Sequence, residues 1–343
     1  MILQKKLAMS LESELKYENE WAINFLVAKS YESDIILKPQ YKLVDSLLNH
    51  FQNAASVLLP VLAPNNESST ILSDSEYEDF LQTHHKETAL ISQILTILIN
   101  LSFVSENEKY LANHTLFVNS ILNFVYGKEQ EFVFYSLQII ANIASSFVLK
   151  ENCYELISYL FGYLYDEDIA YLTTSIEILA KLSQIPQNHY WLAKMDFKFY
   201  QRLEELLFIP DSKFQLRVFS LLSNIAQYSS MKAKVQLAQT TTLVKHLVYF
   251  LNQFIEEAET LKEDEMEVEN EEEEAEEDTK ETEMNRTFIT KIITTLIYLA
   301  AEMKNNPIFL PYEEHLLELS LTTTNEDYSS MLNDLCAEIL SRQ

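Results

Sequence analysis

Glycine is nearly absent from this sequence, and its scarcity excludes several classes of protein. The chain has 343 residues but only 2 glycines, Gly127 and Gly162. A glycine-rich phosphate loop, a dinucleotide-binding fingerprint and a G-x-S-x-G nucleophile elbow all need more glycines than this. Architectures built mainly from β-strands also depend on glycine in their tight turns. The composition therefore favours helices joined by loops.

Cysteine and long apolar runs are scarce as well. The 2 cysteines, Cys153 and Cys336, lie in apolar helical patterns, which predicts buried, reduced thiols in an intracellular protein. The first residues contain no apolar core long enough for a signal peptide, and no later run reaches the roughly 18 apolar residues of a membrane-spanning helix. We therefore expect a protein without a membrane segment.

Basic residues are too few to balance the acidic ones. The sequence has 25 lysines and arginines against 52 aspartates and glutamates, for a formal net charge of −27. Residues 256–283 hold 17 acidic residues and 2 lysines, so they carry −15 of that charge and leave −12 on the rest. A broad phosphate-binding surface needs clustered cations. Direct DNA binding is therefore not expected, although the charge count leaves room for a small local basic patch.

The residues that catalyse reactions or bind metals form no recognisable constellation. The 7 histidines are scattered apart from the adjacent pair His84 and His85, which lacks the convergent ligands of a zinc site and predicts a solvated loop. No histidine has an evident nucleophile partner, and acidic pairs arise by chance among 52 acids. We expect no catalysis, no cofactor and no metal. A helical hydrolase with an unrecognised acidic pair is the enzymatic alternative.

A short motif recurs in the chain with a period near 40 residues. Its marker, a leucine or isoleucine before a final small residue, stands at positions 101, 143, 182, 225 and 299, with spacings of 42, 39, 43 and 74 residues. The copies are 95–102 (LTILINLS), 137–144 (LQIIANIA), 176–183 (IEILAKLS), 219–226 (FSLLSNIA) and 293–300 (ITTLIYLA). One amphipathic helix in each such period is typical of armadillo and HEAT repeats. The predicted fold is all-α: an armadillo/HEAT-like right-handed solenoid with an irregular N-terminal helical part and a disordered acidic insertion.

The long last spacing predicts an insertion into one continuous solenoid. It exceeds one period by about 32 residues, close to the length of the acidic run. Such a run repels itself and has too little apolar surface to offset its ordering entropy. The predicted organisation is an N-terminal helical part (1–64), a polar acidic linker (65–86), armadillo-like repeats (87–255), a disordered acidic loop (256–285), and a last repeat with a capping helix (286–343).

One polar position inside the motif is the candidate partner-binding site. Asn100, Asn142 and Asn224 occupy it in three copies, and Lys181 and Tyr298 replace asparagine in the other two. An amide on an otherwise apolar helix face must find hydrogen-bond partners. Two interpretations are open. Each asparagine bonds a neighbouring loop or helix and keeps the layers in register, or the five residues line a groove and pair with the backbone of an extended partner peptide.

Aromatic residues make up 12% of the chain and crowd two of its segments. Residues 132–135 and 159–165 carry aromatics on more than one helix face, so some of these side chains are expected at the surface. Exposed aromatics without interleaved basic residues indicate a protein interface more than a nucleic-acid platform. Trp21 and Trp191 are expected to anchor the core.

Several segments, taken in order, resemble one known family. They are 7–34 (LAMSLESELKYENEWAINFLVAKSYESD) with 43–51 (LVDSLLNHF), 173–193 (TTSIEILAKLSQIPQNHYWLA), 214–254 (FQLRVFSLLSNIAQYSSMKAKVQLAQTTTLVKHLVYFLNQF) and 293–321 (ITTLIYLAAEMKNNPIFLPYEEHLLELSL). The set is similar to the C-terminal homology region of the AT-rich-interaction-domain (ARID) subunit of SWI/SNF (BAF-type) chromatin remodellers. The similarity spans most of residues 7–340.

This resemblance implies a non-catalytic, armadillo-like scaffold in a nuclear chromatin-remodelling complex. In that family the region holds the N-terminal segment of the ATPase subunit and the core scaffold subunits. Full-length members also carry an upstream DNA-binding ARID, so the chain is expected to be a C-terminal fragment or a pared-down member. The acidic loop is a candidate for histone contact. The alternative is an armadillo-type cytoplasmic adaptor or transport receptor that binds peptide segments.

Overall fold

The structure of this protein, a computed structural model, describes residues 2–32, 35–62, 73–192, 194–195, 197–239, 242–267 and 274–341. Helices form its regular structure, and these described ranges contain no strand. The chain divides into two compact units, Met1–Ile185 (unit 1) and Pro186–Gln343 (unit 2). The all-α, armadillo-like fold class predicted from the sequence is confirmed.

Unit 1 is built around a row of helices that pack side by side. Its helices are α1 (Ile2–Leu11), α2 (Lys16–Ser30), α3 (Leu43–Leu62), α4 (Asp74–Thr83), α5 (His85–Phe103), α6 (Ser105–Asn113), α7 (Thr115–Val125), α8 (Gln130–Ile143), α9 (Tyr154–Tyr163) and α10 (Ile169–Ser183). The row consists of α2, α5, α8 and α10 in that order, and α3 and α7 pack against it. Its last three helices carry the first three copies of the motif.

Apolar periodicity explains why these helices form and pack. Leu137, Ile140 and Ile143 recur every three residues along one face of α8 and are fully buried. The start of α10 is set by Asp168, whose carboxylate accepts the N–H of Ala170 at 2.8 Å and so satisfies a free donor of the first turn. The apolar side of each motif helix therefore lies in the core, and its polar position lies at the edge of the buried face.

Unit 2 repeats this arrangement. Its helices are α11 (His189–Leu192), α12 (Phe197–Leu206), α13 (Ser212–Tyr228), α14 (Met231–Gln239), α15 (Leu243–Glu267), α16 (Glu274–Ala300), α17 (Asn306–Phe309), α18 (Glu313–Thr322) and α19 (Glu326–Leu340). The motif helices α13 and α16 pack on each other, and α15 and α19 pack on α16. The rings of Phe254 on α15 and Phe288 on α16 stack with centroids 4.5 Å apart. The acidic run is therefore inserted between two helices that pack together, as predicted.

Helices extend into two segments that were predicted to be irregular. In the predicted linker 65–86, α4 forms because Ser73 and Glu76 make a capping box, with the Ser73 N–H donating to the Glu76 carboxylate at 2.9 Å. In the predicted acidic loop 256–285, α15 runs to Glu267 and α16 begins at Glu274, since glutamate and alanine favour helix. Residues 256–267 and 274–285 of the loop predicted to be disordered are therefore helical, and 268–273 lie outside the described residues.

No single helix in the described part of the chain is long and apolar enough to cross a membrane. Only α5 and α6 taken together reach that length and composition, and the two helices are bent by 117°. The α5 residues Ile94, Leu95 and Leu98 are fully buried in unit 1.

Candidate functional site

The five predicted binding residues occupy one position on five motif helices. Asn100, Asn142 and Lys181 lie on α5, α8 and α10 of unit 1, and Asn224 and Tyr298 lie on α13 and α16 of unit 2. Residues four and seven positions before each of them share its helix face, because a helical turn has about 3.6 residues. We call these three positions on each motif helix the motif stripe.

In unit 1 the stripe asparagines bond the preceding helix of the row. The Asn142 amide nitrogen donates to the Ser102 hydroxyl of α5 at 2.9 Å. The Asn100 amide nitrogen donates to the Ser30 hydroxyl of α2, also at 2.9 Å. Each asparagine thus bonds a serine near the end of the adjacent helix. This ladder is what the register-keeping interpretation expects, whereas contact with a partner stays a prediction.

The serines also determine which end of each amide faces outward. Ser102 donates its own hydroxyl proton to the Ile99 carbonyl at 2.8 Å, and Ser30 donates to the Val27 carbonyl at 3.0 Å. A hydroxyl that has donated its proton can only accept, so each asparagine must turn its nitrogen toward the serine. The side-chain oxygens of the half-buried Asn100 and Asn142 accept no bond from a described residue and are not buried. They are available as acceptors for another molecule.

Lys181 replaces the amide in α10 with a cation that makes the same kind of connection. Its ammonium group donates to the Ala141 carbonyl of α8 at 2.8 Å. It also pairs with Glu177, one turn earlier on the same helix, at 2.8 Å. The ladder therefore continues at this step, and the charge of Lys181 is neutralised by its own helix.

In unit 2 the two predicted residues sit in different surroundings. Asn224 is nearly buried, with 9% of its surface exposed. Tyr298 is half-buried, and the ammonium group of Lys234 on α14 lies 5.5 Å from the centre of its ring. That distance is within the range of a cation–π contact. Tyr298 therefore meets a cation where Asn100 and Asn142 meet a serine.

Ser30 was missed because the motif copy in α2 is irregular. Residues 25–27 are apolar like the corresponding motif positions and the segment ends in Ser30, but the asparagine position holds Ala28 and the marker position holds Lys29. The structure shows α2 as the first helix of the row, so unit 1 contains one more layer than the predicted repeats. The available signal was the small residue that closes every copy. Where that residue is serine, its role as acceptor for the next copy could not be deduced from one helix alone.

A second asparagine, six residues after the marker, closes the end of two motif helices. Asn107 is fully buried; its nitrogen donates to the carbonyls of Leu101 at 2.9 Å and Ile35 at 2.8 Å, and its oxygen accepts the N–H of Leu37 at 2.7 Å. Asn305 is also fully buried and donates to the Leu299 carbonyl at 2.9 Å. These amides satisfy backbone groups that a helix end leaves unpaired, so they are structural.

Trp21 was expected in the core, and this expectation is wrong. The side chain is 43% exposed on α2, where its ring lies 5.5 Å from that of Phe25 and 5.5 Å from the Lys6 ammonium group. The motif register explains its position, because Trp21 stands seven residues before Ala28 and therefore lies on the motif stripe. Trp191 is half-buried.

A cavity of about 630 Å³ opens between α2 and α5 in unit 1. Ile23 and Leu90 form part of its apolar lining, and Lys16, Glu20 and His50 are among its polar residues. Its wall includes Gln93 and therefore adjoins the motif stripe of α5. The cavity is large enough to receive a side chain of a bound protein.

The described residues give little support for a metal site or a catalytic nucleophile. No group of three or more histidine, cysteine, aspartate or glutamate side chains among them could hold a metal ion. The pair His84 and His85, predicted to lie in a solvated loop, stands at the junction of α4 and α5. His84 lies 3.8 Å from the Glu87 carboxylate. Cys153 and Cys336 are buried thiols outside any disulfide, as predicted, and burial raises the pKa of both. A raised pKa is the opposite of what a nucleophilic cysteine needs.

No protein-family model matches this sequence, and no curated protein matches it. Solved structures are similar in fold. An engineered protein is 13% identical to this chain. The alignment covers 97% of this chain and 77% of the engineered protein, at a TM-score of 0.56. UNC-45 from Drosophila melanogaster is 14% identical and aligns with 98% of this chain at a TM-score of 0.54; the chain covers 43% of that protein.

A designed armadillo repeat protein in complex with the peptide (KR)4 is 14% identical, with 83% of this chain and 98% of that chain aligned at a TM-score of 0.46. At these identities the likenesses concern the fold alone. The two structures with a TM-score above 0.5 agree with the helical repeats predicted from the motif, and the chain's partners are proposed below from its own residues.

Proposed function

We propose that this protein is a non-catalytic scaffold that binds extended segments of partner proteins along its motif stripe. The observation that carries the proposal is the orientation of Asn100 and Asn142. Both amides are held by a serine through the nitrogen, and both leave the oxygen as an acceptor. An acceptor that repeats once per layer matches the N–H groups of an extended backbone, which repeat along its length.

The spacing of the row fits an extended partner. Packed helices lie about 8–10 Å apart, and an extended chain in the polyproline-II conformation rises about 3.1 Å per residue with three residues per turn. A partner that crosses the row therefore presents every third N–H to the next helix. Because the serines already hold the amides, binding costs little additional side-chain ordering. Lys181, Asn224 and Tyr298 continue the same stripe position and are proposed as further contacts.

We propose further that the partners are subunits of a SWI/SNF-type chromatin remodeller in the nucleus. The support is the ordered resemblance of segments across residues 7–340 to the C-terminal region of the ARID subunit. On that basis the ligands are the N-terminal segment of the ATPase subunit and core scaffold subunits, and the acidic run at 256–283 is a candidate histone contact. No direct DNA contact is proposed, which agrees with the net charge of −27.

Co-purification distinguishes the remodeller assignment from the more general proposal of a scaffold. The tagged chain is isolated from nuclear and from cytoplasmic extract, and its stoichiometric partners are identified by mass spectrometry. The remodeller ATPase and core subunits are expected together. Recovery of cytoplasmic cargo proteins without them would overturn the remodeller assignment but keep the scaffold. Hydrolase activity that survives in the purified chain and is lost with one acidic pair would overturn the non-catalytic scaffold itself.

A further inference from the structure

One part of unit 2 reverses the charge of the chain. Residues 186–248 contain 8 lysines and arginines and 4 acidic residues, a local charge of +4 in a chain of −27. Charges separated by more than the Debye length, about 8 Å at physiological salt, are largely screened from each other. A ligand that touches this part therefore responds to its local cations more than to the net charge of the whole chain.

The cations concentrate on the motif stripe and beside it. Arg217 on α13 and Lys291 on α16 both stand seven residues before the stripe residues Asn224 and Tyr298, on two helices that pack together. Lys213 lies one turn before Arg217 on the same helix face. The Lys234 ammonium group adds a fourth positive charge over the Tyr298 ring. We call Lys213, Arg217, Lys234 and Lys291 the basic stripe.

Equivalent positions in unit 1 carry no such charge. The residues seven positions before Asn100, Asn142 and Lys181 are Gln93, Tyr135 and Thr174. Lys181 itself is paired with a glutamate on its own helix at 2.8 Å. The cations of the basic stripe are therefore a local feature of unit 2 and do not follow from the repeat.

Three members of the basic stripe have no ion-pair partner among the described carboxylates. Lys213 is exposed, Lys234 and Lys291 are half-buried, and none of the three forms an ion pair with a described carboxylate. Asp211, two residues before Lys213, caps the first turn of α13, where its carboxylate accepts the Phe214 N–H at 2.6 Å. Unpaired cations beside hydroxyl and amide groups are the chemistry that recognises carboxylates.

We infer that the basic stripe binds an acidic, extended peptide segment whose carboxylates recur about every third residue. This inference rests on the proposed function, because it specifies the partner for the same stripe. Neighbouring helices lie about 10 Å apart. An extended segment in the polyproline-II conformation rises about 3.1 Å per residue with three residues per turn, so every third side chain returns to the same face after about 9 Å. A carboxylate that meets Arg217 is thus followed three residues later by one that meets Lys291. Lys213, one helical turn of about 5.4 Å away, holds the segment at its edge.

A short acidic peptide fits this surface better than nucleic acid does. Binding of nucleic acid relies on a basic groove that tracks several phosphates and on aromatic faces free for stacking. The ring of Tyr298 on this stripe is already covered by the Lys234 ammonium group. A long polyanion would also extend beyond the basic stripe toward a chain that carries −27 overall.

The test measures fluorescence anisotropy of labelled twelve-residue peptides with the full-length chain. The peptides carry aspartate, asparagine or lysine at every third position, and a twelve-nucleotide oligothymidylate is the nucleic-acid probe. The stripe variant is Lys213→Glu with Lys291→Glu. The control variant, Lys232→Glu with Lys245→Glu, makes the same change in net charge at exposed positions off the stripe.

The aspartate peptide is expected to bind best, to weaken about tenfold or more in the stripe variant, and to stay within about twofold in the control variant. Its affinity falls as salt is added. Equal binding of all three peptides, unchanged in the stripe variant, would overturn the acidic preference and leave the scaffold standing. Failure of every peptide to bind would overturn this inference, while capture of partner subunits in the co-purification would keep the scaffold. Tighter binding of the oligothymidylate, lost in the stripe variant, would make this a nucleic-acid site.

Discussion

Removal of the Asn142–Ser102 hydrogen bond should reveal how far the ladder stabilises unit 1. The bond is 2.9 Å long and half-buried, so Asn142→Ala should cost about 1 kcal/mol of unfolding free energy. For a unit of this size that loss corresponds to about 2–4 °C in Tm. Ser102→Ala removes the same bond from the other side. The double variant should therefore cost little more than either single one, which gives a coupling energy of about 1 kcal/mol.

Urea unfolding followed by tryptophan fluorescence measures this cycle. The sequence has 2 tryptophans, one in each unit, so Trp191→Phe leaves Trp21 as the reporter of unit 1. Ser145→Ala, at an exposed position just after the next motif copy, is the matched control and should change stability by less than about 0.5 kcal/mol. Additive losses in the double variant would show that the two side chains do not interact, and the ladder would be refuted.

Three other predictions concern the interior of the chain. Asn107→Ala should cost about 3–5 kcal/mol of unfolding free energy, because three backbone groups lose a buried partner. Asn113→Ala, at an exposed site, should cost under about 0.5 kcal/mol. Equal losses of the two variants in urea unfolding would refute this prediction. Cys153 and Cys336 should react with a thiol reagent only after denaturation, and one fast-reacting thiol in the native chain would contradict their burial. Burial raises the pKa of Tyr163 from 10.0 to about 12, so its contribution to stability is complete below pH 10.0 and is lost as the pH rises through about 12. Tyr163→Phe should flatten this alkaline loss of stability. An unchanged profile of unfolding free energy against pH would be contrary evidence.

The helical framework could be predicted because its signals are local. The burial of Leu137, Ile140 and Ile143 follows from their spacing, and Asp168 and Asp211 start α10 and α13 as capping chemistry predicts. The end of α15 and the start of α16 were not predicted, because helix propensity and charge repulsion oppose each other in the acidic run and the sequence does not show which one prevails.

The site was only partly predictable, because its function depends on pairs of residues far apart in sequence. The motif identified Asn100 and Asn142 as polar side chains that need partners. It could not show that Ser30 and Ser102 are those partners, since each bond joins residues from different repeats. The exposure of Trp21 was missed for a similar reason: a tryptophan on an amphipathic helix looks like a core residue until the neighbouring layer is known.

Quantitative partner capture with two matched variants tests the central claim most directly. Asn100→Ala with Asn142→Ala removes both the ladder bonds and the outward acceptors, whereas Ser30→Ala with Ser102→Ala removes the same bonds and keeps the acceptors. If the stripe binds partners, the asparagine variant should lose capture while the serine variant keeps most of it, with both chains folded and similarly destabilised. If both variants capture the partner as well as the unsubstituted chain does, and each melts a few degrees early, the asparagines hold the layers in register and do nothing more.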